Sequence, residues 1–364
     1  MQQNNWKWEF LRESDRAIAA GDPEAMIWDH DMIKNTPFRV VCRKDGKFVK
    51  LYITPPGTDL FKRLKNRFYP KARSEFETLC ELQKHCIPVV EPVGWGQNGS
   101  YGSCLITREI PNSVSANDFF HMAVGEENKE CPEFFTKWSS FVRDFLRSGF
   151  DHPDFHNGNI LYREENNTFA LVDVYGIRQK HRPDVQKMAK IVREFAAYLP
   201  KSRLLALLEG IGIVKPEKFY REMLRYGAKQ IRKEFPRRLA QFRNHYEKFV
   251  KVQGKMVRTL NGARKPIPLE NTIKTEGTPQ VAQKLREMDF FLNLCNIPRL
   301  RIAAFEPPGI LYVEKISDRI PAGAEEDLAE RLTLCGEDPK DYFFTADRFG
   351  RAVVVPNIFK SEEF

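Results

Sequence analysis

Residues 149–162 read GFDHPDFHNGNILY, which places His152, Asp154, His156 and Asn159 within eight positions and runs directly into a hydrophobic strand. Polar residues this dense suit a surface turn, a metal site or a catalytic loop. The flanks decide between them. Upstream, Phe134, Phe135, Trp138, Phe141, Val142 and Phe145 recur at helical spacing. Ser148-Gly149 stops that helix, because glycine adopts the left-handed conformation that ends a helix without steric penalty. Downstream, ILY (160–162) and FALVDV (169–174) read as strands joined by the polar turn REENNT, and Asp173 ends the second strand. A loop framed in this way can bring Asp154 to a hydroxyl and the Asn159 amide to a metal, with Asp173 emerging into the same space. Two carboxylates and an amide are hard oxygen donors suited to Mg²⁺ with phosphate.

The spacing His152-x-Asp154-x-x-x-x-Asn159, followed by a strand-end aspartate, is that of the phosphotransfer centre in the protein kinase fold. Its partners stand upstream. FRVVCR (38–43) and FVKLYI (48–53) form a hairpin turned by Asp45-Gly46. KARSEFETLCELQKHC (71–86) carries Phe76, Leu79, Leu82 and Cys86 at helical spacing, and IPVVEPVGWG and SCLITREI read as two further strands. Strand, strand, helix, strand, strand is the layout of a small α+β lobe. Lys50 lies mid-strand, where a phosphate-anchoring lysine belongs, and Glu75 lies in the following helix, where its ion-pair partner belongs. Glu77 competes for that role but leaves the helix on a different face. Resemblance to that kinase centre implies that the strand CLITREI is the hinge, with backbone groups of Thr107, Arg108 and Glu109 meeting adenine.

Three features depart from an ordinary protein kinase. No G-x-G-x-x-G precedes Lys50, so HDMIKNTPFRVVCRKDG must cover the phosphates with a different hairpin. Asp173-Val174-Tyr175-Gly176 has no glycine where D-F-G requires one, and His156 replaces the lysine usual two positions after the catalytic aspartate. These changes point to a small-molecule or glycan kinase.

GFDHPDFHNGNILY and LVDVYGIR resemble the lipopolysaccharide core kinases, the Kdo/WaaP family. FVKLY followed by ARSEFETLCELQKHCIPVVEPVGWG is similar to that family's lysine strand, glutamate helix and proline turn. The resemblance implies an α+β, two-lobed protein kinase-like fold, with a small β-rich N-lobe, a helical C-lobe and an additional C-terminal α/β segment. It implies ATP and Mg²⁺, with Asp154 as catalytic base and Asn159 and Asp173 as metal ligands. Lys50 would bind the α/β-phosphates and pair with Glu75; His156 would contact phosphate or substrate, or brace the loop, and His152 would be structural. The acceptor implied is a sugar hydroxyl of the lipopolysaccharide inner core, Kdo or heptose. Two alternatives stand beside it. Antibiotic phosphotransferases share the H-x-D-x-H-x-x-N loop, which suits a small-molecule phosphotransferase, and the missing glycine loop suits a pseudokinase that binds nucleotide without transfer. A zinc site from His152, His156 and Asp154 lacks a further cysteine or histidine to complete it.

The expected division is an N-lobe over 1–111, a C-lobe over 112–260, a linker over 261–280 and a mixed segment over 281–364. Helices are expected from Pro183 onward, with Val185, Met188, Ile191, Val192 and Phe195 on one face. The last segment repeats the order of the small lobe: LCELQKHCIPVVEPV and FFLNLCNIPRLRIAA both run helix, Cys, Ile-Pro, strand, which suggests a degenerate copy. No apolar run approaches the roughly 18 residues of a membrane span, and MQQNNWKWEF carries no apolar signal core. Seven scattered cysteines without a C-x-x-C pair suit reduced thiols and a cytoplasmic protein. The net charge is +9, and Lys215–Arg258 alone holds fourteen Lys or Arg against four Glu, so the excess is local. Such an excess suits an anionic glycan acceptor and peripheral contact with the inner face of an anionic membrane. A solvated helix face is the bland alternative, and no nucleic acid is expected.

Overall fold

The computed structural model describes residues 6–19, 31–55, 57–98, 102–126, 129–179, 191–241, 248–252, 255–259, 271–306, 309–317 and 320–357. The chain forms two compact units. One comprises Met1–Met122 with Cys131–Asp184, and the other Ala123–Glu130 with Val185–Phe364.

The first unit opens with strands β1 (Lys7–Phe10), β2 (Asp31–Thr36), β3 (Arg39–Lys44) and β4 (Lys47–Ile53). Asp45 and Gly46 both take positive φ (46° and 70°), which gives the β3–β4 turn the hand that matches strand twist. Helices α1 (Leu60–Phe68) and α2 (Lys71–Lys84) follow, then β5 (Pro92–Asn98) and β6 (Gly102–Arg108). The sheet runs β1-β5-β6-β4-β3-β2. Alternation along these strands puts Val40, Cys42, Val49, Leu51, Val93, Cys104 and Ile106 in one core, closed by Trp6, Trp8 and Phe10. Helix α2 packs on β5 and β6 and buries Ala72, Glu75, Phe76, Leu79 and Leu82.

Next come β7 (Ser113–Ser115), α3 (Ala116–Phe120), capped by the Ser115 hydroxyl, and α4 (Pro132–Arg147). Gly149, at φ 78°, ends α4 as expected and turns the chain into β8 (Phe150–Asp151). Strands β9 (Ile160–Arg163) and β10 (Thr168–Leu171) form the hairpin that flanks the polar loop, and β11 (Arg178–Gln179) pairs with β8. Phe134 of α4 meets Tyr162 at 4.9 Å and Phe169 at 5.5 Å between ring centroids, so aromatic packing holds this hairpin. Leu171 also bridges to Val89 in parallel, tying the hairpin to the segment between α2 and β5. These elements make a small β-rich lobe and the loop-bearing start of a helical lobe, a protein kinase-like arrangement.

The second unit contains α5 (Lys201–Gly210), α6 (Pro216–Gln241), β12 (Lys248–Val252), β13 (Lys255–Thr259), β14 (Thr272–Glu276) and α7 (Pro279–Cys295). It continues with β15 (Ile302–Glu306), β16 (Ile310–Glu314), β17 (Ile316–Ser317), α8 (Ala324–Leu334), β18 (Tyr342–Asp347) and β19 (Ala352–Pro356). Two expectations are corrected here. The helical C-lobe does not extend to residue 260, because β12 and β13 join β15, β16 and β14 in a five-stranded sheet. Lysine and arginine flank the short apolar runs of KFVKV and KMVRT, so the charge of the basic segment masks both strands. The linker is also shorter than 261–280: Thr272–Glu276 is a strand and α7 starts at Pro279, while 261–270 lie outside the described residues. Val185 and Met188 lie outside them too; Ile191, Val192 and Phe195 are buried. Ala228 and Ile231 of α6 share a core with Phe291, Leu292, Leu328 and Leu332, so this helix belongs with the C-terminal elements.

The two units repeat a local pattern. β4 pairs with β6 and β6 with β5, with a register shift between Pro92 and Gly94. β14 pairs with β16 and β16 with β15, with a shift between Ile302 and Ala304. Each helix before the paired strands is followed by a left-handed residue, Cys86 (φ 56°) or Asn296 (φ 55°). An isolated parallel bridge then joins Arg299 to Val354 as Val89 joins Leu171.

Candidate active site

The site lies within the first unit. Lys50 occupies the middle of β4 with its ammonium 2.6 Å from Glu75 Oε1 and 3.1 Å from Asp173 Oδ1. Glu75 is 2% exposed, and the Tyr52 hydroxyl donates to its other oxygen. A buried carboxylate with both oxygens bonded is held by geometry as well as charge. Glu77, two residues on, is exposed and pairs with Arg73 in its own helix. Burial, first, and the neighbouring Glu75 carboxylate push the Tyr52 phenol well above its ordinary range, so it stays a donor.

Asp173 sits just past β10 with φ 55°, a left-handed conformation that aspartate tolerates better than most residues. Arg39, the first residue of β3, donates to both its oxygens at 3.1 and 3.2 Å. Burial raises the Asp173 pKa, but Lys50 and Arg39 outweigh it and hold the carboxyl below the usual range. Sequence reasoning missed Arg39. It follows the turn at Pro37-Phe38, in the hairpin expected to cover the phosphates, and faces Asp173 from 134 positions away.

The polar loop is braced from within. Asp154 N–H donates to His152 Nδ1 at 3.1 Å, Gly158 N–H to His156 Nδ1 at 3.0 Å, and Asn159 Nδ2 to the Asp154 carbonyl at 3.0 Å. The Trp138 indole of α4 donates to Asn157 at 2.8 Å, fixing the loop to the helix that precedes it. With its nitrogen committed to the Asp154 carbonyl, Asn159 keeps its amide oxygen for another partner. Asp154 is the exposed member, its side chain 66% accessible, and His156 Nε2 lies 3.4 Å from its carboxylate. Asn159 and Asp173 offer oxygen donors only, which fits a Mg²⁺ ion shared with phosphates. Among the described residues, no group of three or more His, Cys, Asp or Glu side chains is placed to hold a metal ion.

The expected hinge is partly engaged inside the lobe. The N–H groups of Arg108 and Glu109 donate to Glu91 and Gly46, both at 2.8 Å, and the Arg108 side chain bonds Asp15 at 2.7 Å. Those two N–H groups are therefore already paired within the lobe. Thr107 is buried within β6.

His152 is 1% exposed, and burial pushes its pKa down to about 4, only partly offset by the Val172 carbonyl and the carboxylates of Asp154 and Asp173. The unfolded imidazole titrates near 6.5, so between about pH 6.5 and 4 the unfolded chain binds the extra proton. Stability from this group is complete above that window and is lost as pH falls through it, by about 3 kcal/mol. Urea unfolding from pH 7 to pH 4 should show a steeper loss in the native chain than in His152→Gln; parallel slopes would remove His152 as the cause.

Residues 22–198 match the family model described as the lipopolysaccharide kinase (Kdo/WaaP) family. No curated protein matches the chain. Similar solved structures include a co-crystal structure of WbdD with the kinase inhibitor LY294002, at 16% identity and a TM-score of 0.38, covering 55% of this chain and 46% of that one. Another is the bifunctional kinase-methyltransferase WbdD, at 14% identity and a TM-score of 0.37, covering 60% of this chain and 46% of that one. The chain thus spans less than half the length of these solved chains.

Proposed function

We propose, from the match of residues 22–198 to the lipopolysaccharide kinase (Kdo/WaaP) family, that the chain is an ATP-dependent kinase acting on a sugar hydroxyl of the lipopolysaccharide inner core, Kdo or heptose. The observation that carries the reading is Lys50 lodged between Glu75 and Asp173 at 2.6 and 3.1 Å. A lysine so held presents its charge to the α/β-phosphates at a fixed point beside the metal-binding carboxylate. Asp154 accepts the proton of the acceptor hydroxyl as its oxygen bonds to the γ-phosphorus and the bond to the ADP oxygen breaks. Asn159 and Asp173 would hold Mg²⁺, which supplies charge neutralisation on the phosphate oxygens. Arg39 takes the place of the absent glycine loop: a guanidinium beside the turn of the β2–β3 hairpin meets phosphate where backbone N–H groups would otherwise do so. Labelled ATP and Mg²⁺ offered with dephosphorylated core glycolipid test the reading. Label in the glycolipid sugar supports it; label only in aminoglycosides or small metabolites replaces it, and nucleotide binding without label leaves a pseudokinase.

Residues 272–356 are read as a degenerate copy of the small lobe and its hairpin, lacking the phosphotransfer groups. The shared strand order, register shift and parallel bridge support this. The Glu91–Arg108 ion pair also has its counterpart with charges exchanged, Arg301–Glu314. Counting from these anchors, Thr275 stands for Lys50, Leu285 for Glu75, Phe343 for Asn159 and Pro356 for Asp173. No phosphate or metal ligand survives at those positions. The domain reading is therefore one transferring centre followed by one silent copy.

No helix of the described residues is long and apolar enough to cross a membrane. Peripheral attraction is assigned to the basic stripe of α6, where Arg225, Lys229 and Lys233 are exposed at successive turns while Met223, Leu224, Ala228 and Ile231 face inward. Arg232 is not part of the stripe, since it donates to the Cys335 and Gly336 carbonyls and pairs with Glu337. Replacing Arg225, Lys229 and Lys233 with Gln should weaken low-salt binding to anionic vesicles roughly tenfold or more, at about 1 kcal/mol per residue near the surface. Turnover on a soluble acceptor analogue should hold. Equal co-sedimentation of mutant and native chain at low salt would make the stripe a solvated face.

A further inference from the structure

Helix α1 follows the lysine strand and precedes the helix that carries Glu75, yet nearly its whole surface is open. Its sequence is LFKRLKNRF. At 100° per residue, Leu60, Phe61, Leu64 and Phe68 fall within an arc of about 100°. They are 68%, 85%, 40% and 65% exposed, so the described residues leave most of this apolar stripe uncovered. The helix is fastened from its other side: Asn66 donates to the Thr54 hydroxyl at 3.3 Å, and Gln97 donates to the Arg67 carbonyl at 2.8 Å. The apolar arc is therefore displayed by attachment, and four large side chains on nine residues exceed ordinary scattered surface hydrophobics.

The polar flanks identify what covers the arc. Arg63, Lys65 and Arg67 border it on both sides, and the helix carries no acidic residue. The same three cations and Lys71 line a cleft of about 330 Å³ with no carboxylate on its walls. That cleft reaches Tyr175, two positions past Asp173. A protein partner would have to supply an apolar groove rimmed with acid. A bilayer of anionic lipids offers both chemistries at the required depth, acyl chains below and phosphates at the level of the basic flanks.

We propose that α1 is an interfacial helix that seats the catalytic unit on an anionic lipid surface. Its aromatic and leucine side chains enter the acyl boundary, while Arg63, Lys65 and Arg67 meet headgroup phosphates. This deepens the reading of a lipid-anchored acceptor, and rests on it only for what the surface delivers to the site. It is also separable from the α6 stripe, whose attraction is electrostatic and fades with salt.

The test uses the full chain, floated with vesicles of phosphatidylethanolamine and phosphatidylglycerol, and with vesicles of phosphatidylcholine alone. The native chain should float with the anionic vesicles and keep part of that binding at high salt. Phe61→Ser with Phe68→Ser should lose the salt-resistant part by about tenfold, or 1.4 kcal/mol. Because both rings are exposed, the double variant should unfold at the same urea concentration as the native chain and keep its turnover on a soluble acceptor analogue. Preserved turnover with lost flotation separates this helix from the kinase reading, whose failure would show in both chains without vesicles. Undiminished flotation of the variant overturns the proposal, as does equal binding of the native chain to phosphatidylcholine. So does a change confined to self-association in sedimentation velocity, which would make the arc a contact between copies of the chain.

Discussion

Asp154→Ala should cut phosphoryl transfer by about 10²–10⁴-fold, the range over which a positioned general base contributes, while leaving nucleotide affinity close to native. The separation follows from where the groups lie. Lys50, Glu75, Arg39 and Asp173 form one ion-paired cluster, whereas Asp154 stands on the neighbouring loop with its carboxylate open to solvent. Its backbone, by contrast, is tied down: the N–H donates to His152 and the carbonyl accepts from Asn159. Removing the carboxylate should therefore leave the loop in place and remove only the group that orients the acceptor hydroxyl. Asp154→Asn should behave similarly, which guards against a folding defect in the alanine variant. Single-turnover transfer and ATP binding, measured on the same preparations, give the two readouts. Transfer at the native rate by either variant would take the catalytic role away from Asp154.

The fold was legible because its decisive residues are local. Phe134, Trp138 and Phe145 declare a helix, Gly149 ends it, and the hairpin strands after Asn159 are short and apolar. The strand, strand, helix, strand, strand order of the small lobe likewise needs only periodicity and one Asp-Gly turn. Glu75 and Glu77 could be told apart because positions two apart on a helix leave it on different faces. What escaped depends on distance in space. Arg39 reads as one polar position in an alternating strand, and only the fold brings it to a carboxylate 134 residues on. Helix α1 is hard to read because its nine residues lie in a short stretch framed by Pro55-Pro56-Gly57 and Pro70, and the described residues leave its apolar arc largely uncovered. The basic segment misled in another way. Its charges mask the β-branched valines of β12 and β13, a residue type that favours strands, and the bracing role of Arg232 at the end of α8.

Lys50→Met should abolish measurable transfer and also remove tight nucleotide binding from the entire chain. The second part is the sharper expectation. If residues 272–356 retained a working nucleotide site, the variant would still bind one equivalent of ATP; with Thr275 and Leu285 at the matching positions, it should bind none. Calorimetric titration of the native chain should accordingly give one site. The partners of Lys50 grade the effect. Glu75→Gln keeps the shape of the side chain and its bond from Tyr52 but removes the charge that holds the ammonium, so activity should fall by roughly tenfold to a hundredfold, equivalent to about 1.4–2.7 kcal/mol. Glu77→Gln removes only an exposed pair with Arg73, the kind worth at most about 1 kcal/mol, and activity should stay near native. A greater loss from Glu77→Gln than from Glu75→Gln would reverse the choice of partner. Two nucleotides per native chain, or one in Lys50→Met, would show that residues 272–356 bind ATP.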